Sequence, residues 1–270
     1  MIMNKTDLLD VDIIEADIGT KLVGTKVLIY KSTASTNDVA WGYAANKANS
    51  GLAIFAESQS AGRGRHGNKW LSAPGQSVLL SILLKNFSCP AELITLAAAV
   101  ATAQAISKVA ALDRVAARIK WPNDIMLNGK KVAGILLESK VSSAGGDYVI
   151  GIGINCRQPK EFFDDTNLKM PATSIDLESG KVTDRNLLAR ELLICLDEWI
   201  AAAKDAPDTI IESWQQLSCQ LGSRLTVQCD QQLFSGNCIG IDPTKGLIMQ
   251  LDSGTVRMFD AAHTTVVKEE

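Results

Sequence analysis

Four short segments of the 270-residue chain carry the side chains that could do chemistry. Residues 59–67 read Gln-Ser-Ala-Gly-Arg-Gly-Arg-His-Gly and are followed by Lys69-Trp70. Glycines at 62, 64 and 67 let a backbone turn its N–H groups inward as an anion nest. Arg63 and Arg65 add permanently charged forks that suit carboxylate and phosphate. The segment is not a Walker A loop. Its glycines have GxGxxG spacing, but it precedes a strand rather than a helix. A second segment, Lys120-Trp121-Pro122-Asn123-Asp124, ends a strand. Pro122 holds Trp121 out of helical geometry, and the Asn123 amide can both donate to and accept from an adenine edge. In the third, Asn128 to Glu138, the Asn-Gly pair signals a hairpin that turns Lys131 and Gly134 back toward the KWPND turn. Gly134 allows a ligand close to the backbone. The fourth, Ser35-Thr36-Asn37, reads as a helix cap and sets hydroxyl and amide groups beside a positive helix terminus.

Singly, each segment has a plain structural reading: a cap, a rigid turn, a surface lysine. Their distribution argues for more. From Ser58 to Ala91 there is no acid, but there are Arg63, Arg65, Lys69 and Lys85. From Arg114 to Lys131 five bases face the single acid Asp124. The whole chain carries a net charge of −3 with a pI near 5.5, which argues against a nucleic-acid polymer as main partner. Local bases in an acidic chain point to a local anionic client.

The elements that position these segments follow from periodicity. Strands are expected at Lys26–Tyr30, Ala53–Ala56, Ser77–Leu84, Val115–Lys120, Ile125–Leu127, Lys131–Leu137 and Tyr148–Ile154. Helices are expected at Asn37–Lys47, from Pro90 to about Leu112, at Leu187–Ala203 and at Asp208–Leu217. The last fifty residues differ in kind. Arg224–Gln228, Leu233–Ile241, Gly246–Leu251 and Thr255–Phe259 read as short antiparallel strands, with a boundary near Leu221–Gly222.

Six cysteines (Cys89, Cys156, Cys195, Cys219, Cys229, Cys238) show no CxxC pair, and the two histidines, His66 and His263, are far apart. Neither a zinc site nor a disulfide framework is expected. The N-terminus is acidic (Asp7, Asp10, Asp12, Glu15, Asp17), with no arginine before Arg63. Targeting sequences want the reverse, and the apolar run Leu93–Ile106 is short for a bilayer. The expectation is a cytoplasmic protein with no membrane partner.

In this order, Ser-Thr-Asn, QSAGRGRHG with KW, KWPND, NGKKVAGIL and GIGIN (151–155) closely resemble biotin protein ligases. The resemblance runs from about Ser35 to Asn155 and continues more loosely to the C-terminus. It implies an α+β fold: a mixed β-sheet catalytic domain flanked by helices (1–221), then a small SH3-like β-barrel (222–270). It also implies two half-reactions. Biotin and Mg·ATP give biotinyl-5′-AMP and pyrophosphate. The biotinyl group then passes to a lysine on the biotin carrier domain of a carboxylase such as acetyl-CoA carboxylase. By resemblance biotin lies beside Ser35, Thr36, Asn37, Gln59, Gly62, Gly64 and Gly134. Arg63, Arg65 and Lys131 serve both biotin and ATP, while Trp70, Lys120, Asn123 and Asn155 serve the nucleotide. Arg63, Arg65, Lys131 and Asp124 are the expected catalytic residues. No protein metal ligand is expected, Mg2+ arriving with ATP.

The chemistry fits such a site. Biotin's carboxylate is already ionised, so the first step needs charge neutralisation and no general base. In the second, an ordinary lysine is only about 0.1% neutral at pH 7.4, a penalty of roughly 4 kcal/mol. Asp124 is the nearest acid and is expected to orient the incoming amine. The glycine–arginine loop is expected to be mobile when empty and ordered over the ligand.

Three departures from relatives stand out. His66 replaces a frequent arginine, and Asp260–Val267 lacks an arginine that some relatives carry. Only 34 residues precede Ser35, too few for a winged helix-turn-helix. The expectation is therefore ligase activity without DNA binding, as a monomer or a homodimer. Two alternatives are a lipoate-type ligase on the same fold and a non-enzymatic biotin sensor or RG-type RNA binder.

Overall fold

The computed structural model describes residues 8–110, 117–142, 145–164, 166, 168, 170–242 and 244–270. Asp7, Arg114 and Pro243 lie outside the described residues. So do the end of the helix expected to reach Leu112 and the start of the strand expected at Val115.

The chain forms β1 (Lys26–Tyr30), β2 (Leu52–Ala56), β3 (Ser77–Phe87), β4 (Arg118–Lys120), β5 (Asp124–Leu127), β6 (Lys130–Ser142) and β7 (Gly145–Asn155). These make one seven-stranded sheet in the order β1-β2-β3-β7-β6-β5-β4. Only β1 and β2 pair in parallel, and the other ladders are antiparallel, so the sheet is mixed. Parallel pairing needs a crossover, supplied by α2 (Thr36–Tyr43). Ser35–Asn37 and Gln59 thus emerge at the same end of the sheet, where Thr33 and Gln59 extend the pairing by one bridge.

The helices are α1 (Val11–Glu15), α3 (Ala91–Ala110), α4 (Lys160–Asp164), α5 (Ile175–Ser179), α6 (Arg185–Asp205) and α7 (Pro207–Leu217). Alternation along β7 sends Ile150, Ile152 and Ile154 into the large core with α3 and α6. On the opposite face Val149 joins a smaller cluster with Ala40, Leu52, Ile54 and Leu83 beneath α2. The alanines of α3 let α6 approach closely. At 20 residues α3 is long and apolar enough to cross a bilayer, but most of its apolar length is buried in this core.

The last strands, β8 (Arg224–Cys229), β9 (Gln232–Asp242), β10 (Gly246–Leu251), β11 (Val256–Phe259) and β12 (Thr264–Glu269), form a separate antiparallel sheet ordered β11-β10-β9-β8-β12. The β12 strand was not anticipated, although Thr-Thr-Val-Val has strong strand propensity. Nor were α1, α4 and α5, which at five residues each are too short to show a helical period. The helix expected to Lys47 stops at Tyr43. Gly42 weakens its last turn, and the Asn46 side chain accepts from Ala48 N to start a separate 3-10 turn at Lys47–Asn49.

The long connection from β2 to β3 is tied down at both ends. Glu57, just past β2, is buried and pairs with the equally buried Arg185 of α6 at 2.8 Å. Arg185 also donates to the Ser77 carbonyl where β3 begins, and Glu57 accepts the Leu9 amide at 2.6 Å. Removing one partner of a buried pair strands the other charge, at a cost of about 3–5 kcal/mol. We therefore expect Arg185→Met to lower the stability measured by urea denaturation by about that amount. A loss under 1 kcal/mol would show that the pair anchors nothing.

Candidate active site

A cleft of about 550 Å³ opens where α2, the β2–β3 connection, β6, β7 and β12 meet. Its floor is a run of sheet glycines. Gly134 of β6 lies directly opposite Gly153 of β7, and Gly151 lies opposite Leu136. None of these glycines needs a positive φ; what they supply is room. A Cβ on Gly153 would collide with the Trp70 indole, one on Gly151 with the Asn37 amide, and one on Gly134 would press on Trp70 and Lys131.

At one end Ser35, Thr36 and Asn37 are buried at the start of α2. Ser35 occupies the cap position but makes no side-chain cap bond, so the motif is not a capping device. Gln59 takes that role: its Oε1 accepts from Thr36 N at 2.7 Å and Thr36 Oγ1 at 3.0 Å. Ser81 of β3, a residue the motifs did not reveal, donates to Asn37 Oδ1 at 2.6 Å. Asn37 Nδ2 is left buried without a partner on a residue that lines the cleft.

The glycine–arginine loop differs from expectation. Gly64 N donates to Asn68 O, Asn68 N to Arg65 O and Trp70 N to Gly62 O, at 2.7, 3.0 and 2.9 Å. His66 and Gly67 turn the chain in the left-handed region, with φ of 53° and 73°. The result is a small internally bonded hairpin. Within Gly62–Gly67, the Gly64 amide is thereby taken by a carbonyl and withdrawn from any anion nest.

The cleft's bases are also already engaged. Arg63 makes a two-pronged pair with Asp38, at 2.7 and 2.8 Å, and reaches Glu138 at 3.0 Å. The guanidinium beside Asp38 holds that carboxyl below its usual range. Arg65 is half-buried, donates to the Ala261 carbonyl next to β12 and lies 3.4 Å from Asn123 Oδ1. Burial pulls its pKa down, while the charges of Asp124 and Asp260 push it back up. Lys131 Nζ sits 2.5 Å from Asp124 and 5.8 Å above the Trp70 ring. Lys120 pairs with Glu269 of β12 at 2.9 Å.

Two asparagines expected to meet the nucleotide have other work. Asn123 Nδ2 donates to the Ile135 carbonyl at 2.5 Å and clamps the KWPND turn onto β6. Asn155 bonds Thr173 and Gln158, both at 3.1 Å, and so supports a wall. Asp124 faces Lys131 and is not open to an incoming amine in this state. Trp70 lies across the glycine floor with its indole nitrogen buried and unpartnered. All the expected residues except Gly62 line the cleft. Gly62 lies at the base of the hairpin, where a Cβ would press on the Trp70 carbonyl. The far wall adds Phe162, Phe163, Leu168, Met170 and, from β12, Thr264–Val266, none of which the motifs identified.

Three kinds of likeness converge on these elements. Residues 29–155 match the model of the biotin/lipoate A/B protein ligase family. The chain is 32% identical over 90% of its length to the bifunctional ligase/repressor BirA of Bacillus subtilis, covering 74% of that protein. It is also 32% identical to the biotin–[acetyl-CoA-carboxylase] ligase of Mycobacterium tuberculosis, over 74% of this chain and 73% of that one. Its fold matches the biotin protein ligase of Aquifex aeolicus, solved with biotin and ATP, at a TM-score of 0.75 and 24% identity over 90% of this chain and 99% of that one. With the cleft's glycines, arginines and lysines inside the matched region and that identity along most of its length, the chain belongs to the biotin protein ligase family.

Proposed function

We propose that the chain is an ATP-dependent biotin protein ligase, which makes biotinyl-5′-AMP and then biotinylates a lysine of a carboxylase carrier domain. One observation carries the reading: a sheet floor of glycines, roofed by the Trp70 indole, beside the buried Asn37 amide whose Nδ2 has no partner. Biotin is a flat bicycle with a cyclic urea at one end and a carboxylate on a flexible tail. The floor suits the bicycle, Asn37 Nδ2 suits the urea carbonyl, and the tail runs toward Arg65 and Lys131. Lipoate has no urea. It would leave Asn37 Nδ2 unsatisfied at a cost of about 1–3 kcal/mol, which disfavours the lipoate reading.

In the first half-reaction a biotin carboxylate oxygen attacks the α-phosphorus, and the bond to the β-phosphate oxygen breaks to release pyrophosphate. Lys131 and Arg65 neutralise the approaching anions and the charge that develops at phosphorus. Among the described residues no group of three or more His, Cys, Asp or Glu could hold a metal. Mg2+ is expected to arrive with the ATP phosphates.

In the second half-reaction the carrier lysine attacks the acyl carbon, AMP leaves, and the amine loses a proton. Lys131 moves to the phosphate once ligand is bound, which exposes the Asp124 carboxylate to the incoming amine. Residues 222–270 form a unit whose last strand closes the nucleotide side of the cleft. The bound ligand, the carrier, a soluble cytoplasmic setting and the Mg2+ requirement are all part of this proposal.

The direct test is to incubate the protein with ATP, biotin and a carrier domain and to probe with streptavidin. We expect labelling that needs both small substrates and falls at least about a hundredfold in Lys131→Ala, as when a donor to a transition-state charge is removed. Absence of labelling in the wild-type protein would overturn the proposal. For Asp124, transfer from preformed biotinyl-AMP is expected to slow about tenfold or more in Asp124→Asn. An unchanged transfer rate would remove Asp124 from the second step.

A further inference from the structure

Arg63 is the one arginine of the loop whose charge is more than matched by the protein itself. Both its terminal nitrogens are engaged: Nη1 with Asp38 Oδ2, and Nη2 with Asp38 Oδ1 and Glu138 Oε1. The second oxygen of Glu138 accepts from the Trp41 indole at 2.7 Å, and Lys140 lies 4.2 Å over that ring. Asp38 and Trp41 sit three residues apart on α2, and Glu138 projects from β6 on the same face as Gly134. One guanidinium therefore ties the loop to a helix on one side of the cleft and a strand on the other. Asp38 and Glu138 offset Arg63 and the nearby Lys140, so the cluster carries no net positive charge to offer a phosphate. Arg65 and Lys131 line the same cleft, and neither is held by two carboxylates as Arg63 is.

From this geometry we infer that Asp38 and Glu138 are positioning residues, which act through Arg63 to latch the glycine–arginine hairpin across the mouth of the cleft. The inference rests on the proposed ligase reading for its consequence, which is how long biotin stays bound, but not for the latch itself. Arg63 here is a tie between α2 and β6, and the anionic ligand is left to Arg65 and Lys131. The latch closes over whatever lies on the glycine floor, because Gly62 and Trp70, at the base of the hairpin, are bonded to each other and Trp70 covers Gly153.

Two readouts decide it. In ligand-free protein, the amides of Gly64 and Trp70 are bonded inside the hairpin. In Asp38→Asn/Glu138→Gln we expect them to exchange with deuterium about five- to tenfold faster, with Ile150 and Ile152 in the core unchanged. Unchanged exchange at Gly64 and Trp70 overturns the latch. In turnover, the same variant is expected to raise KM for biotin about tenfold while kcat stays within about twofold. Asp38→Glu, which keeps the charge, is expected to restore most of the loss.

If the acids act through Arg63, adding their substitutions to Arg63→Met changes KM no further. Additive effects overturn the inference. A wild-type protein with no biotin-dependent turnover would defeat the ligase reading alone, and the exchange measurement would still decide the latch.

Discussion

The site depends on a stretch of sheet that has no side chains. Gly134 and Gly153 face each other across the β6–β7 ladder, with Gly151 two residues along, so one face of a fully bonded sheet is stripped to its backbone. Only glycine gives that room without giving up the hydrogen-bonded ladder beneath, and in this state Trp70 and Asn37 take it, so a flat ligand lies against Trp70 as much as against the sheet. The cost is local: glycine weakens a strand by roughly 0.5–1 kcal/mol relative to alanine. It is offset on the other face of β7, where Ile150, Ile152 and Ile154 anchor the strand in the main core. Alternation along a single strand thus divides two tasks, packing below and clearance above.

The second feature of the cleft is that its bases are not waiting unpaired. Arg63 is held by Asp38 and Glu138, Lys131 by Asp124, Lys120 by Glu269 and Arg65 by the Ala261 carbonyl. An unpaired cation in a half-buried cleft is costly, so a resting site built to handle polyphosphate must supply temporary partners. Binding then exchanges one set of partners for another, and the net gain is smaller than the number of arginines and lysines suggests. The same arrangement ties the two sheets together, since Glu269 of β12 bonds Gln220 as well as Lys120, and Gln220 accepts from Trp121 N. The KWPND turn is therefore held by the barrel as much as by its own strand.

Much of this was legible in the sequence, and the failures are physical. The β1 strand and the Asn128-Gly129 hairpin are local: periodicity sets the first, and positive φ at both turn residues, 47° and 74°, sets the second. The cleft residues were named through the order in which the motifs occur, since each motif alone had a plain structural reading. What was not legible is who neutralises whom. Asp38, Glu138 and Glu269 lie 25, 75 and 149 positions from their partners, and no local pattern links them. The Glu57–Arg185 anchor, 128 residues apart, was missed for the same reason. The Gly64–Asn68 bond inside Gly62–Gly67 was not legible, because glycine spacing reports permitted dihedrals, not which carbonyls will claim an amide. Ser35–Asn37 looked like a cap because capping residues and ligand-binding residues are the same types; only Gln59 satisfying the helix end separates the two.

The central claim is that the glycine floor beneath Trp70 and the Asn37 amide select a urea-bearing acid for adenylation. Its most direct test is isotope exchange between pyrophosphate and ATP, driven by biotin or by lipoate at equal concentration. The account predicts exchange with biotin and at least about tenfold less with lipoate, matching the unsatisfied donor that lipoate leaves behind. Equal exchange with both acids, or faster exchange with lipoate, would contradict it.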